Sequence, residues 1–168
     1  MDIQPLVDAL QPWASLYSDH PAVATGVLAA HLLALLFGGG LAIAADRATL
    51  RALDDDATLV PQLASLAGTH RPVLLWLGVI AVSGSLMTAA DLGTYWTSTA
   101  YIIKQTLVFL LLANGAFLVR TERALERALA GGAPDAAPLR VRLRLASWLS
   151  LLLWGATTLA GVALTNFA

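Results

Sequence analysis

PAVATGVLAAHLLALLFGGGLAIAA, Pro21–Ala45, is a run of 25 residues that carries no formal charge. As a helix rising about 1.5 Å per residue it reaches about 37 Å, more than the roughly 30 Å of a bilayer's hydrocarbon core. Its one titratable group is His31. The run predicts a transmembrane helix, and the chain repeats the pattern at Pro72–Ala90, Tyr101–Val119 and Leu145–Asn166. These segments are continuously apolar rather than alternating, which favours helices over a barrel. The predicted fold is an all-α membrane protein: a single antiparallel bundle of four transmembrane helices over residues 1–168.

Composition agrees. The chain is 58% hydrophobic and only 12% charged, against about 25% charged in a typical soluble domain. Cysteine is absent, which excludes disulfides, thiolate metal sites, thiol redox chemistry and covalent c-type haem. Asp2, Asp8 and Asp19 precede the first apolar run without any cation. A secretory signal needs a positive leading region, so the first span is expected to stay in the mature protein.

The cations give the orientation. Arg47, Arg51 and Arg71 flank the first inter-span loop, and Arg120, Arg123, Arg127, Arg140, Arg142 and Arg144 flank the third. Lys104 is the one exception. The positive-inside rule puts both loops in the cytoplasm of a bacterial inner membrane and both termini outside. The middle loop, around 91–100, has no Lys or Arg and brings Tyr95, Trp96 and Tyr101 to the interface.

Ahead of the first span, Ile3, Leu6, Val7, Leu10, Ala14 and Tyr17 recur at helical spacing, interrupted by Pro12. This predicts a short interfacial N-terminal helix, followed by a Ser18 or Asp19 cap with Pro21 in the first turn of span one. Glu122-Arg123 and Glu126-Arg127 are expected to continue span three as a charged helix in water, up to a turn at Gly131-Gly132-Ala133-Pro134-Asp135. Asp54-Asp55-Asp56 is expected to cap the next helix.

Polar groups inside spans are costly and mark candidate sites. His31 lies about 15 Å below the outer end of span one, and Asn114 about 15 Å down span three. Ser83, Ser85, Thr157 and Thr158 fall within a turn or two of that level, so a midplane cluster is expected, serving either as a packing node or as a ligand, cofactor or proton-relay site. Ala34, Gly38 and Ala42 form a small-residue stripe beside His31, which turns that face toward protein. Gly38-Gly39-Gly40 implies close helix packing or a kink. His70 depends on where span two begins. A start at Pro72 leaves it at the surface, about 24 Å from His31. A start near Pro61 puts Leu59, Leu63, Leu66 and His70 on one face with His70 about 14 Å deep, and Arg71 would then pair, for instance with Asp46. Asp91 and Lys104 could pair at the outer mouth of the bundle.

His31 with Gly38-Gly39-Gly40, then Ser83-Gly84, Asp91, Ser98 and Lys104, resembles the copper-resistance D family and related bacterial four-helix membrane proteins. The resemblance covers about His31 to Asn114 and implies a membrane bundle handling copper or haem. Cu(I) favours soft ligands, and this chain has no Cys and only Met1 and Met87. Haem b needs only imidazole, so the expected cofactor residues are His31, His70 and Asn114, the last in support. The expected function is a haem- or metal-associated redox or cofactor-handling membrane protein. The alternative is a non-catalytic subunit or scaffold that packs against partner helices or a second copy. No catalytic triad, phosphate loop, H-E-x-x-H or intramembrane carboxylate pair is visible, so an enzyme is not expected. The arginines are accounted for by topology and anionic lipid, with no role for nucleic acid.

Overall fold

The computed structural model describes residues 3–131 and 136–167. They form helices and short connections, without a strand among them. In order these are α1 (Gln4–Asp19), α2 (Pro21–Ala34), a π-helical turn (Leu35–Gly39), α3 (Gly40–Ala52), α4 (Asp56–Ala90), α5 (Leu92–Thr97), α6 (Thr99–Ala130) and α7 (Ala137–Phe167). The predicted turn at 131–135 lies mostly outside the described residues.

Four rods are long and apolar enough to cross a membrane: α2–α3 taken together, α4, α6 and α7. The first three run 32, 35 and 32 residues. At about 1.5 Å per residue each exceeds a 30 Å hydrocarbon core by close to 20 Å. Residues 46–52, 56–71 and 120–130, the arginine-bearing ends of three rods, lie outside the apolar runs read from the sequence, and the tightest core lies there. Leu53, Leu59, Leu125 and Leu143 are at most 1% exposed, and they cluster with Leu63, Leu66, Leu118 and Ala146. Farther along the rods the side chains turn outward: Leu74, Phe109, Leu152 and Leu159 are all more than 60% exposed, as lipid-facing residues should be.

Several boundaries differ from expectation. Span two does not wait for Pro72. The α4 helix starts at Asp56 and continues through both Pro61 and Pro72, because burial of Leu59, Leu63 and Leu66 holds its first turns. Asp55 is the N-cap, accepting a hydrogen bond from Ala57 N–H at 3.1 Å. Its neighbours do different work. Asp54 pairs with Arg144 and Asp56 with Arg140, and Arg140 also donates to the Leu53 carbonyl at 2.8 Å. The acidic triplet thus caps one helix and clips a second to it. Asp55→Ala is expected to cost about 1 kcal/mol, read as a lower thermal midpoint.

The predicted cap of span one is absent. The N-cap is His20, with no side-chain hydrogen bond. The Ser18 hydroxyl instead reaches back to the Ser15 carbonyl and to Asp19, because α1 runs on through Asp19. Pro12 does not break α1. This helix packs against α2 and α4, and Trp13 Nε1–H donates to the Leu86 carbonyl at 2.8 Å.

Among the rods, α6 lies along α7, and the α2–α3 rod packs on α4 and, through α3, on α7. The α4 and α6 helices touch at few points. At the first two glycines of the triple the first rod packs closely on its neighbours. A Cβ at Gly38 would stand 2.6 Å from the Trp76 Cβ, and one at Gly39 3.3 Å from the Trp154 ring, while Gly40 faces open space. The π turn, a local widening often found at functional sites, spans this contact, and Phe37 stacks on Trp76 at 5.4 Å.

Candidate functional site

The expected midplane cluster forms only in part. His31 is 8% exposed, and its Nδ1 lies 2.9 Å from Ser83 Oγ. Ser83 has a single proton, and its Oγ is 2.6 Å from the Val79 carbonyl. If that proton goes to the carbonyl, the hydroxyl accepts from His31, which sets the imidazole as the Nδ1–H tautomer. Gly84 gives the ring room, since a Cβ there would lie 3.4 Å from His31 Cε1. Asn114 is elsewhere. Its amide donates to the Ala146 carbonyl at 3.0 Å, which stitches α6 to α7. From α6 it is Lys104 that acts on His31 electrostatically, packed beside Gly161 of α7. The Asp91–Lys104 ion pair is not among those the described residues make.

His70 belongs to a different neighbourhood. Ser83, which touches His31, lies thirteen positions beyond His70 on the same helix, or about 20 Å along its axis. Two imidazoles on one iron would sit about 4 Å apart, given metal–nitrogen bonds near 2 Å. His31 and His70 therefore do not share one iron in this arrangement.

His70 instead lines a cavity of about 250 Å³ between α4 and α6, with α3 and α7 behind it. The walls are mostly apolar: Leu66, Val73, Leu77, Leu111, Leu118 and Trp154. The polar groups gather at the arginine-bearing end, from four different helices: Asp46 on α3, His70 on α4, Glu122 on α6 and Ser150 on α7. His70 Nε2 comes within 3.1 Å of Glu122 Oε2, but the approach is misaligned, and that oxygen accepts no hydrogen bond. Glu122 is 8% exposed and Asp46 7%. The two carboxylates are near enough to act on each other, and Ser150 stands beside Asp46. Arg123 acts electrostatically on both His70 and Glu122 from outside the cavity. Arg71 is exposed and makes no ion pair among the described residues, so the expected Asp46–Arg71 contact is absent.

Burying a carboxylate without a donor is expensive. Glu122 beside the His70 imidazole, with Asp46 near enough to act on it electrostatically, makes a candidate acid–base pair with a second carboxylate in range. No three His, Asp or Glu side chains among the described residues stand close enough to hold a metal ion.

The sequence pointed to His70 but missed its partners. By sequence Glu122 groups with Arg123, Glu126 and Arg127 in a charged helix expected in water. The signal was present in the register, since Leu111, Asn114 and Leu118 step forward to Glu122 and then Leu125, one buried face at helical spacing. Asp46 directly follows the apolar run of span one, and the sequence offers it only as a partner for Arg71.

No family model matches the chain, no curated protein matches it, and no solved structure matches it.

Proposed function

We propose that this chain is a multi-pass membrane protein that binds and releases a proton at the Asp46–His70–Glu122 cluster, as the acid–base site of a membrane carrier. The observation that supports this most is Glu122: a carboxylate oxygen without a donor, buried beside an imidazole and a second carboxylate. Ionisable groups inside helical membrane proteins are rare, face the protein interior and mark ion or proton pathways. Here they sit at the arginine-bearing end. Under the positive-inside rule that end faces the cytoplasm and both termini face outward, so the site exchanges protons with the cytoplasmic phase. Toward the other face, Leu111, Leu153 and Trp154 pack with Leu35, Leu77 and Leu107, an apolar plug between the cavity and the His31–Ser83 pair.

Infrared difference spectra across a pH titration test the proposal. A protonated carboxyl band should rise on acidification, lose intensity in Glu122→Gln, and shift in His70→Ala. A spectrum in which Glu122→Gln removes no titrating band would end it.

A further inference from the structure

The cavity has features that a proton site alone does not require. It is far larger than a water molecule, it is walled by hydrocarbon and one indole, and it lies at the seam where α4 and α6 scarcely touch. Two residues on that seam, Leu74 and Leu112, line the cavity and are 66% and 48% exposed. Both belong to the membrane-crossing stretch, so the opening faces lipid rather than water. A molecule dissolved in the bilayer reaches the cavity sideways, between the two helices.

The polar end selects what that molecule carries. Glu122 Oε2 is an acceptor in want of a donor, and Asp46 adds a second carboxylate. No Lys or Arg lines the cavity. Against the ionised carboxylate of Glu122, a ligand whose head only accepts hydrogen bonds, such as a ketone or quinone, brings no donor. A ligand with an ammonium head supplies both the missing N–H and the positive charge that two neighbouring carboxylates call for.

The geometry points to a binding site for a small lipophilic amine, bound as its ammonium ion against Glu122 after lateral entry between α4 and α6. This rests on the acid–base reading above and gives it a cargo. The exchange balances. The protonated Glu122 carboxyl gives up its proton to the cytoplasmic phase, and the ammonium takes its place, with no bond made or broken beyond that O–H. Uptake of the cation and release of the proton are then one event.

Phenethylamine, with phenethyl alcohol as its uncharged counterpart, tests the site on the full chain in lipid nanodiscs. Calorimetry in two buffers of different ionisation enthalpy reads affinity and proton release together. The expected result is saturable binding of the amine, proton release that rises toward one per amine bound as the pH is lowered, and at least tenfold weaker binding of the alcohol. Glu122→Gln should weaken amine binding at least tenfold, whereas Glu126→Gln, an exposed carboxylate outside the cavity, should leave it unchanged. Leu112→Trp fills the lipid-facing mouth without touching the charges and should also weaken binding, which guards against misfolding as the cause. Absence of saturable amine binding overturns the assignment, and so does equal binding of the alcohol or undiminished binding in Glu122→Gln. If the infrared carboxyl band still titrates while the amine does not bind, the cargo is wrong and the acid–base site stands. If that band is missing, both fall.

Discussion

Gly38→Ala is expected to destabilise the protein by about 1–3 kcal/mol, the usual cost of overpacking a tight contact, while Gly40→Ala two positions on is neutral or stabilising. The added methyl at Gly38 would lie 2.6 Å from the Trp76 Cβ. No rotamer change of Trp76 relieves this, because Cβ is the atom that does not move with χ1. The helices themselves must part, and that loosens the stacking of Phe37 on Trp76 as well. At Gly40 nothing lies within 4 Å, so the substitution keeps only its gain in helix propensity, about 1 kcal/mol in favour of alanine. Gly39→Ala should fall between them, since the 3.3 Å contact there is with the face of the Trp154 ring, which can tilt. Thermal midpoints in one detergent, measured for all three, should rank Gly38→Ala lowest and Gly40→Ala highest. Equal midpoints would mean that the three glycines are there for flexibility rather than for approach.

That ranking is invisible in the sequence, where GGG reads as one feature, and the same limit explains most of what the sequence left undecided. Hydropathy marks all four helices long and apolar enough to cross a membrane, because a bilayer imposes length and apolarity residue by residue. The helix beyond the bilayer was harder. The sequence leaves two starts open for α4, at Pro72 or near Pro61 where Leu59, Leu63, Leu66 and His70 share a face, and the helix begins earlier than either, at Asp56. His31 and Ser83 were placed at one depth and do meet. Asn114 was placed at that depth as well, and it turns to α7 instead, because depth along a rod says nothing of azimuth. The carboxylates of the cavity were missed for a related reason. Charge near a membrane boundary reads as a solvated end until the neighbouring helices are known to run on past it. Here the neighbouring helices run on past the apolar runs and bury Asp46 and Glu122.

The same extension makes the arginine-bearing end the part of the protein where a core substitution should matter most. Leu125→Ala is expected to cost about 2–5 kcal/mol, as large-to-small changes do at fully buried sites, and Leu152→Ala close to nothing. Leu125 is 0% exposed, Leu152 68%. Within the bilayer a leucine on the outer face exchanges contact with lipid for contact with lipid, so truncation removes little. Beyond it, Leu125 packs with Leu53, Leu59 and Leu143 in a core sealed from water, and the hydrophobic effect applies in full. Chemical denaturation in mild detergent should therefore separate the two variants widely, and Leu143→Ala should resemble Leu125→Ala. Should Leu125→Ala prove as mild as Leu152→Ala, the four rods would not be packed on one another past the membrane, and the carboxylates that this packing encloses would lie open to water.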